Sequence, residues 1–169
     1  MDTKRTFNDV VAWLTAMGIT NYDISEDGII DVAGDVDLST KGLTSIPYQF
    51  GYVSGYFDCS YNRLKNLVGA PSVVAGAFYC WSCELRSLEG APMYVGACFY
   101  CSFNNLSDLH GAPEIVGESF YCYNNRPDMT ISGAPRVVGR NFDCTSKFCN
   151  TEPAHSFIDI GGKFIWQRT

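Results

Sequence analysis

At 169 residues, 46% of them hydrophobic, the chain is long enough to bury one core and too short for two comfortable ones. Its net charge of −6 is confined to residues 1–40, which hold eight acids and two bases, while residues 41–169 hold ten of each sign. That balance argues against a phosphate-tracking surface, which needs clustered Lys and Arg, and no apolar run has the length of a secretory signal or a membrane span.

In chain order, residues 6–17 read as an amphipathic helix. Thr6 is its N-cap, Phe7, Val10, Val11, Leu14 and Met17 are its apolar stripe, and Gly18 is its stop. Tyr22 to Ile24 and Ile29 to Val32 read as short strands around an Asp27-Gly28 turn. Residues 1–31 are therefore expected to cap the N-terminal end of the chain's main body.

That body is a repeat. Phe57-Asp58-Cys59, Phe78-Tyr79-Cys80, Phe99-Tyr100-Cys101, Phe120-Tyr121-Cys122 and Phe142-Asp143-Cys144 recur, with cysteine steps of 21, 21, 21 and 22 residues. Gly-Ala-Pro keeps the same beat at Gly69, Gly90, Gly111 and Gly133. Subtracting 21 from Val53, Gly55, Phe57, Cys59, Leu64 and Leu67 gives Val32, Gly34, Val36, Leu38, Leu43 and Ile46, an earlier rung built from aliphatic residues. Residues 32–150 thus make six rungs of a solenoid.

Within a rung, Val74, Phe78 and Cys80 fall at even spacings and are expected on one side of a single strand, with Tyr79 on the other. Pro127 stands where Leu106 predicts a leucine, and one extra residue follows it, so a bulge is expected there. Lys147 and Cys149 mark a fading last rung. Residues 151–169, with Phe157 to Ile160 and Phe164 to Trp166 around Gly161-Gly162, read as a closing β-hairpin cap.

The phrase Phe57-x-Cys59-x-x-Asn62-x-Leu64-x-x-Leu67 resembles the leucine-rich repeat, and Cys83 fits because that family accepts Asn or Cys at this position. The expected fold is a β-rich, leucine-rich-repeat-like solenoid with a parallel strand ladder. Its short rungs resemble bacterial repeats whose convex side is extended. "SLEGAP", "FYCSFNNL" and the lead-in "WLTAMGITNYDISEDGIIDVAGDVDLS" resemble small repeat proteins of bacteriophage and bacteria. That resemblance implies a phage accessory protein that blocks a host enzyme or defence factor in the host cytoplasm.

Chemistry is sparse. Cys80-x-x-Cys83 and Cys98-x-x-Cys101 have near zinc-ribbon spacing, but the register sends Cys80 and Cys101 inward and Cys98 outward, so no metal or other cofactor is expected. The inward cysteines are expected as free, inert thiols of a reducing compartment. His110 and His155 read as surface residues, and Glu26-Asp27 and Asp35-x-Asp37 as turn-forming acids. No enzyme is expected.

The candidate site is the outward strand face. Tyr56, Tyr79, Trp81, Tyr100, Tyr121 and Tyr123 form an aromatic centre between acidic or small ends, the anatomy of a protein-binding hot spot. Cross-strand stacking is the competing use of such rings. The expected function is a non-enzymatic module binding a protein partner through a concave aromatic face, with neither nucleic acid nor membrane as target. The alternatives are a glycan-binding module and the substrate-selecting repeats of a bacterial effector, the latter disfavoured by the short segment after the last rung. An uncovered edge strand would allow two copies to pair.

Overall fold

The computed structural model describes residues 6–145 and 158–165. It opens on α1 (Phe7–Met17), which the sequence caps at both ends. Thr6 and Asp9 form a capping box, and Gly18 closes the helix at φ 76°, a left-handed value that costs glycine little. Val10 and Leu14 are buried, and Trp13 lies edge-on to Tyr48 and Phe50 at 5.4 and 6.3 Å. Phe7 departs from the expected stripe and is exposed, because the first turn of the helix projects beyond the core it covers. No helix among the described residues is long and apolar enough to cross a membrane.

The rest of the chain is a solenoid of short parallel strands in two sheets. The first sheet runs β1 (Tyr22–Ile24), β2 (Ile30–Val32), β4 (Phe50–Val53), β6 (Val73–Val74), β8 (Tyr94–Val95), β10 (Ile115–Val116), β12 (Val137–Val138) and β14 (Asp159–Ile160). The second runs β3 (Val36–Asp37), β5 (Phe57–Asp58), β7 (Phe78–Tyr79), β9 (Phe99–Tyr100), β11 (Phe120–Tyr121), β13 (Phe142–Asp143) and β15 (Phe164–Ile165). Among the described residues every pairing is parallel except β1 with β2, whose hairpin spans Asp27-Gly28 as the sequence predicts. The aliphatic first rung is also in place, with Val32 opposite Val53 and Val36 opposite Phe57.

The expected single strand from Val74 to Cys80 is two strands. The chain turns between Val74 and Phe78, so each residue points inward from a different sheet and both are fully buried. Glycine at the corner permits this. A Cβ on Gly76 would stand 2.6 Å from Gly55 O of the rung below, and one on Gly117 would collide with Gly96 O. The second corner of each rung is the Gly-Ala-Pro phrase. Ala91 N–H donates to Leu88 O at 2.9 Å and Gly90 takes φ 86° at the third position, the requirement of a type II turn.

Inside, like residues stack on like. Phe57, Phe78, Phe99, Phe120, Phe142 and Phe164 form one column, with neighbouring ring centroids 5.1–5.4 Å apart and planes within 18°. Beside them the thiols of Cys59, Cys80 and Cys101 donate to Tyr79 O, Tyr100 O and Tyr121 O of the next rung. An asparagine column then ties rungs together. Asn104 Nδ2 donates to Cys80 O below and to Cys101 O and Ser102 O in its own rung, while its Oδ1 accepts from Leu85 N. Asn62 and Asn125 make equivalent bonds, and at Cys83 a thiol takes over the donation to Cys59 O at 3.2 Å.

Two irregularities sit towards the C-terminal end. The bulge expected at Pro127 is present: Pro127 is exposed, and Met129, two residues on, is buried in the core. The expected closing hairpin is not what the described residues form. β14 pairs parallel with β12 (Ile160 opposite Val138), and β15 pairs parallel with β13 (Phe164 opposite Phe142), so Asp159 to Ile165 adds another rung. Gly161 repeats the corner of Gly139, which turns the chain from one sheet to the other instead of back on itself. Lys147, Cys149, His155, Phe157 and Trp166 lie outside the described residues.

Candidate functional site

In the second sheet alternate residues face outward, so the residue between each inward Phe and Cys is presented to solvent. All six expected site residues, Tyr56, Tyr79, Trp81, Tyr100, Tyr121 and Tyr123, are half-buried on this side. Tyr79, Tyr100 and Tyr121 stack face to face at 4.9 and 4.7 Å with planes within 11°. Tyr56 meets Tyr79 edge-on at 6.2 Å, and Tyr123 meets Tyr121 edge-on at 6.4 Å. Burial raises the phenol pKa of Tyr79 and of Tyr100, and for Tyr100 a hydrogen bond with Cys98 adds to the rise. Burial does the same at Tyr56, helped by the negative charges of Asp35, Asp37 and Asp58.

Trp81 and Tyr123 stand two rungs apart in the next column, with Ser102 between them. Together with Tyr79 and Tyr100 they enclose a cleft of about 290 Å³. A larger hollow of about 520 Å³ lies over the turns at Gly90 and Gly111, but small residues and turn backbone dominate its lining, with His110 and Glu89 its charged or titratable groups. The aromatic cleft is therefore the candidate site.

Two further residues, to which the sequence assigns no role, brace it. Tyr61 packs edge-on to Trp81 at 4.5 Å, and Phe103 packs edge-on to Tyr123 at 5.4 Å. Both have left-handed backbone, φ 55° and 56°, in a column with Thr40, Ser82 and Asn124. Bulky residues are strained there, and each is held by its N–H donating to the next rung, Tyr61 to Trp81 O and Phe103 to Tyr123 O. The signal in the sequence is an aromatic residue recurring two places after an inward cysteine.

The acidic ends of the same columns are wired differently. Asp37 Oδ1 accepts from Ser39 N and Ser39 Oγ, at 2.9 and 2.6 Å, which holds the carboxyl below its ordinary pKa. Asp58 Oδ1 accepts from Ser60 N at 2.8 Å, and Asp143 Oδ1 accepts from Thr145 N and Oγ1 at 3.0 and 2.6 Å. Where tyrosine replaces aspartate, no carboxylate closes the turn. Among the described residues the N–H groups of Trp81, Ser102 and Tyr123 meet no acceptor. Ser102 Oγ is buried without a partner, as is Ser60 Oγ.

The cysteine geometry separates the two C-x-x-C pairs. Cys80, Cys83 and Cys101 are buried, with thiol pKa values raised by burial, to about 11 at Cys83. Cys98 lies half-buried on the outer face, 3.4 Å from Glu118 Oε2. Among the described residues no group of three or more His, Cys, Asp or Glu is placed to hold a metal ion. His110 is exposed beside Asp108. Comparison of the chain with protein-family models, with curated proteins and with solved structures gave no match.

Proposed function

We propose that this protein is a binding module that engages a protein partner through the aromatic face of its second sheet, without catalysing a reaction. The observation that carries the reading is the concentration of Tyr79, Trp81, Tyr100 and Tyr123 around one cleft, with Tyr121 stacked on Tyr100 beside it and strained Tyr61 and Phe103 as braces. Large amphipathic rings around a concave centre with polar ends are how binding energy is concentrated in interfaces. The asparagine column and 21-residue rung support kinship with leucine-rich repeats, and the resemblance to phage-type repeats supports an accessory protein that occludes a host enzyme or defence factor in the host cytoplasm. A glycan target draws on the same rings, but the cleft offers Ser102 as its one aliphatic hydroxyl and no side-chain carboxylate or side-chain amide to receive a sugar.

The test is capture from a host lysate by wild type and by the Tyr100→Ala, Tyr121→Ala double variant. The variant is expected to stay folded and to lose capture of any partner that wild type retains. Its melting temperature falls by several degrees, because each lost ring pair is worth about 1 kcal/mol. Unaltered capture by the folded variant would sink the reading, and retention on polysaccharide resins would favour the glycan target.

A further inference from the structure

We propose that the cleft over Ser102 receives a tyrosine of a partner peptide that carries a basic residue three places before and three places after it. This rests on the protein-binding reading and supplies the chemistry of the partner. Three observations converge on it: a missing ring, an unanswered pair of donors and a one-signed rim.

The missing ring is at Ser102. In the adjacent column Tyr79, Tyr100 and Tyr121 stack at 4.9 and 4.7 Å, one ring to each rung. In the cleft column the order is Trp81, Ser102, Tyr123, so the walls are two rungs apart, about 9.4–9.8 Å at the strand spacing. A ring inserted from solvent sits one rung from each wall, at the spacing the neighbouring tyrosines already use.

The donors lie at the bottom of the same space. At the ends of the face, one carboxylate oxygen of Asp37 or Asp143 accepts both the N–H and the hydroxyl of the residue two places on. Tyr100 stands where that carboxylate would be for Ser102, a residue 2% exposed whose N–H therefore has no acceptor among the described residues and whose hydroxyl is buried and unpartnered, as that of Ser60 is even with Asp58 in place. A tyrosine entering ring-first from solvent leads with its hydroxyl, and the phenol oxygen supplies the acceptor. Phenylalanine fills the slot and leaves the donors unanswered.

The rim sets the charge. The outward columns, which are the residues just before, just after and three before each inward cysteine or Leu38, contain Asp35, Asp37, Asp58 and Asp143 and no Lys, Arg or His, and Arg140 at their margin is paired with Glu118. Asp58 and Asp143 lie two rungs to either side of Ser102. Each commits Oδ1 to its own turn, while Oδ2 has no partner among the described residues. An extended polyproline-type peptide advances about 9.3 Å in three residues and returns to the same face. Its basic residues three places from the tyrosine therefore meet Asp58 and Asp143.

The probe is acetyl-Lys-Pro-Pro-Tyr-Pro-Pro-Lys-amide, titrated at low salt against the full chain with amide resonances as readout. Saturable binding centred on Trp81, Ser102 and Tyr123 is expected. Changing the peptide's Tyr to Phe weakens it roughly fivefold, the value of one hydrogen bond. Changing Tyr to Ala, or both Lys to Glu, abolishes it. Ser102→Tyr completes the column internally and is expected to fold and not to bind, and Trp81→Ala, which removes one wall, is the second variant. Absence of saturable binding, equal binding of the Tyr and Ala peptides, or unchanged binding to both folded variants overturns the proposal. Saturable binding of cellohexaose that Ser102→Tyr removes would overturn it in favour of a sugar. None of these outcomes depends on lysate capture by the Tyr100→Ala, Tyr121→Ala variant, so the broader reading stands or falls separately.

Discussion

The end rungs and the central rungs share one backbone and differ in a single outward letter. At Asp37, Asp58 and Asp143 the rung spends that letter on itself, since the carboxylate ties down the residue two places on. At Tyr79, Tyr100 and Tyr121 the letter is spent between rungs and towards solvent, as rings stack and the following donors stay open. The inner columns do not register the change: Phe57 under Asp58 and Phe99 under Tyr100 are both fully buried. The inward side of each strand therefore keeps one core from end to end, while the outward side varies from rung to rung.

The largest effects should ignore the difference between the two regions. Phe57→Ala and Phe99→Ala each remove a ring stacked within the core and should each cost about 3–5 kcal/mol in denaturant unfolding. A large gap between them would show that the outward residue reaches the core and would break the comparison. Next is Asn104→Ala, which leaves Leu85 N and Cys80 O without their partner and should cost roughly 2–3 kcal/mol. Asp37→Ala should cost about 1 kcal/mol by opening a self-closed turn, without altering partner capture. Loss of capture in that variant would mean the first rung recognises as well as caps.

The smallest effect near neutrality is pH dependence, and it sharpens the same division. Thiols of Cys59, Cys80 and Cys101 and phenols of Tyr56, Tyr79 and Tyr100 have folded pKa values above their unfolded ones. Their contribution is complete below the unfolded values, about 8.5 for thiols and 10 for phenols, and is lost as pH rises through and beyond them. Thermal stability should therefore fall in two stages above about pH 8.5. Tyr100→Phe should blunt only the stage above about pH 10. A single stage that Tyr100→Phe leaves unchanged would contradict the stacking of a neutral phenol.

Much of this architecture was legible because a solenoid repeats its constraints. The helix bounded by Thr6 and Gly18, the first rung at Val36 and Leu38, and the inward cysteines all follow from spacing and capping chemistry. The split of each expected strand into two sheets was not legible, because even spacing across Val74, Phe78 and Cys80 looks the same whether the chain runs straight or turns at Gly76. The last rung was hidden by its glycine pair. Gly161-Gly162 is ordinary hairpin chemistry, and only a 22-residue offset from Val138, Gly139 and Phe142 shows that it is a corner. The aromatic face was visible as a list of outward letters, but its cleft needed the walls and the gap together. Ser102 reads as a plain small residue, and Tyr61 and Phe103 read as turn residues, until a backbone with positive φ sets each beside its neighbour.

The bulge at Pro127 has a consequence for how such a chain can change length. One residue more separates Cys122 from Cys144 than separates the earlier pairs, yet Val116 still faces Val138 and Phe120 still faces Phe142. The surplus is absorbed on the arc between the asparagine column and Gly133, where Pro127 is pushed out and Met129 is drawn in. Insertions and deletions on that arc are thus silent to both sheets. One residue gained between Val138 and Phe142 would instead swap inward for outward at Phe142 and Cys144. The arc is the seam at which whole rungs can be spliced in or out, so the distance between the two acidic ends of the face is an adjustable length.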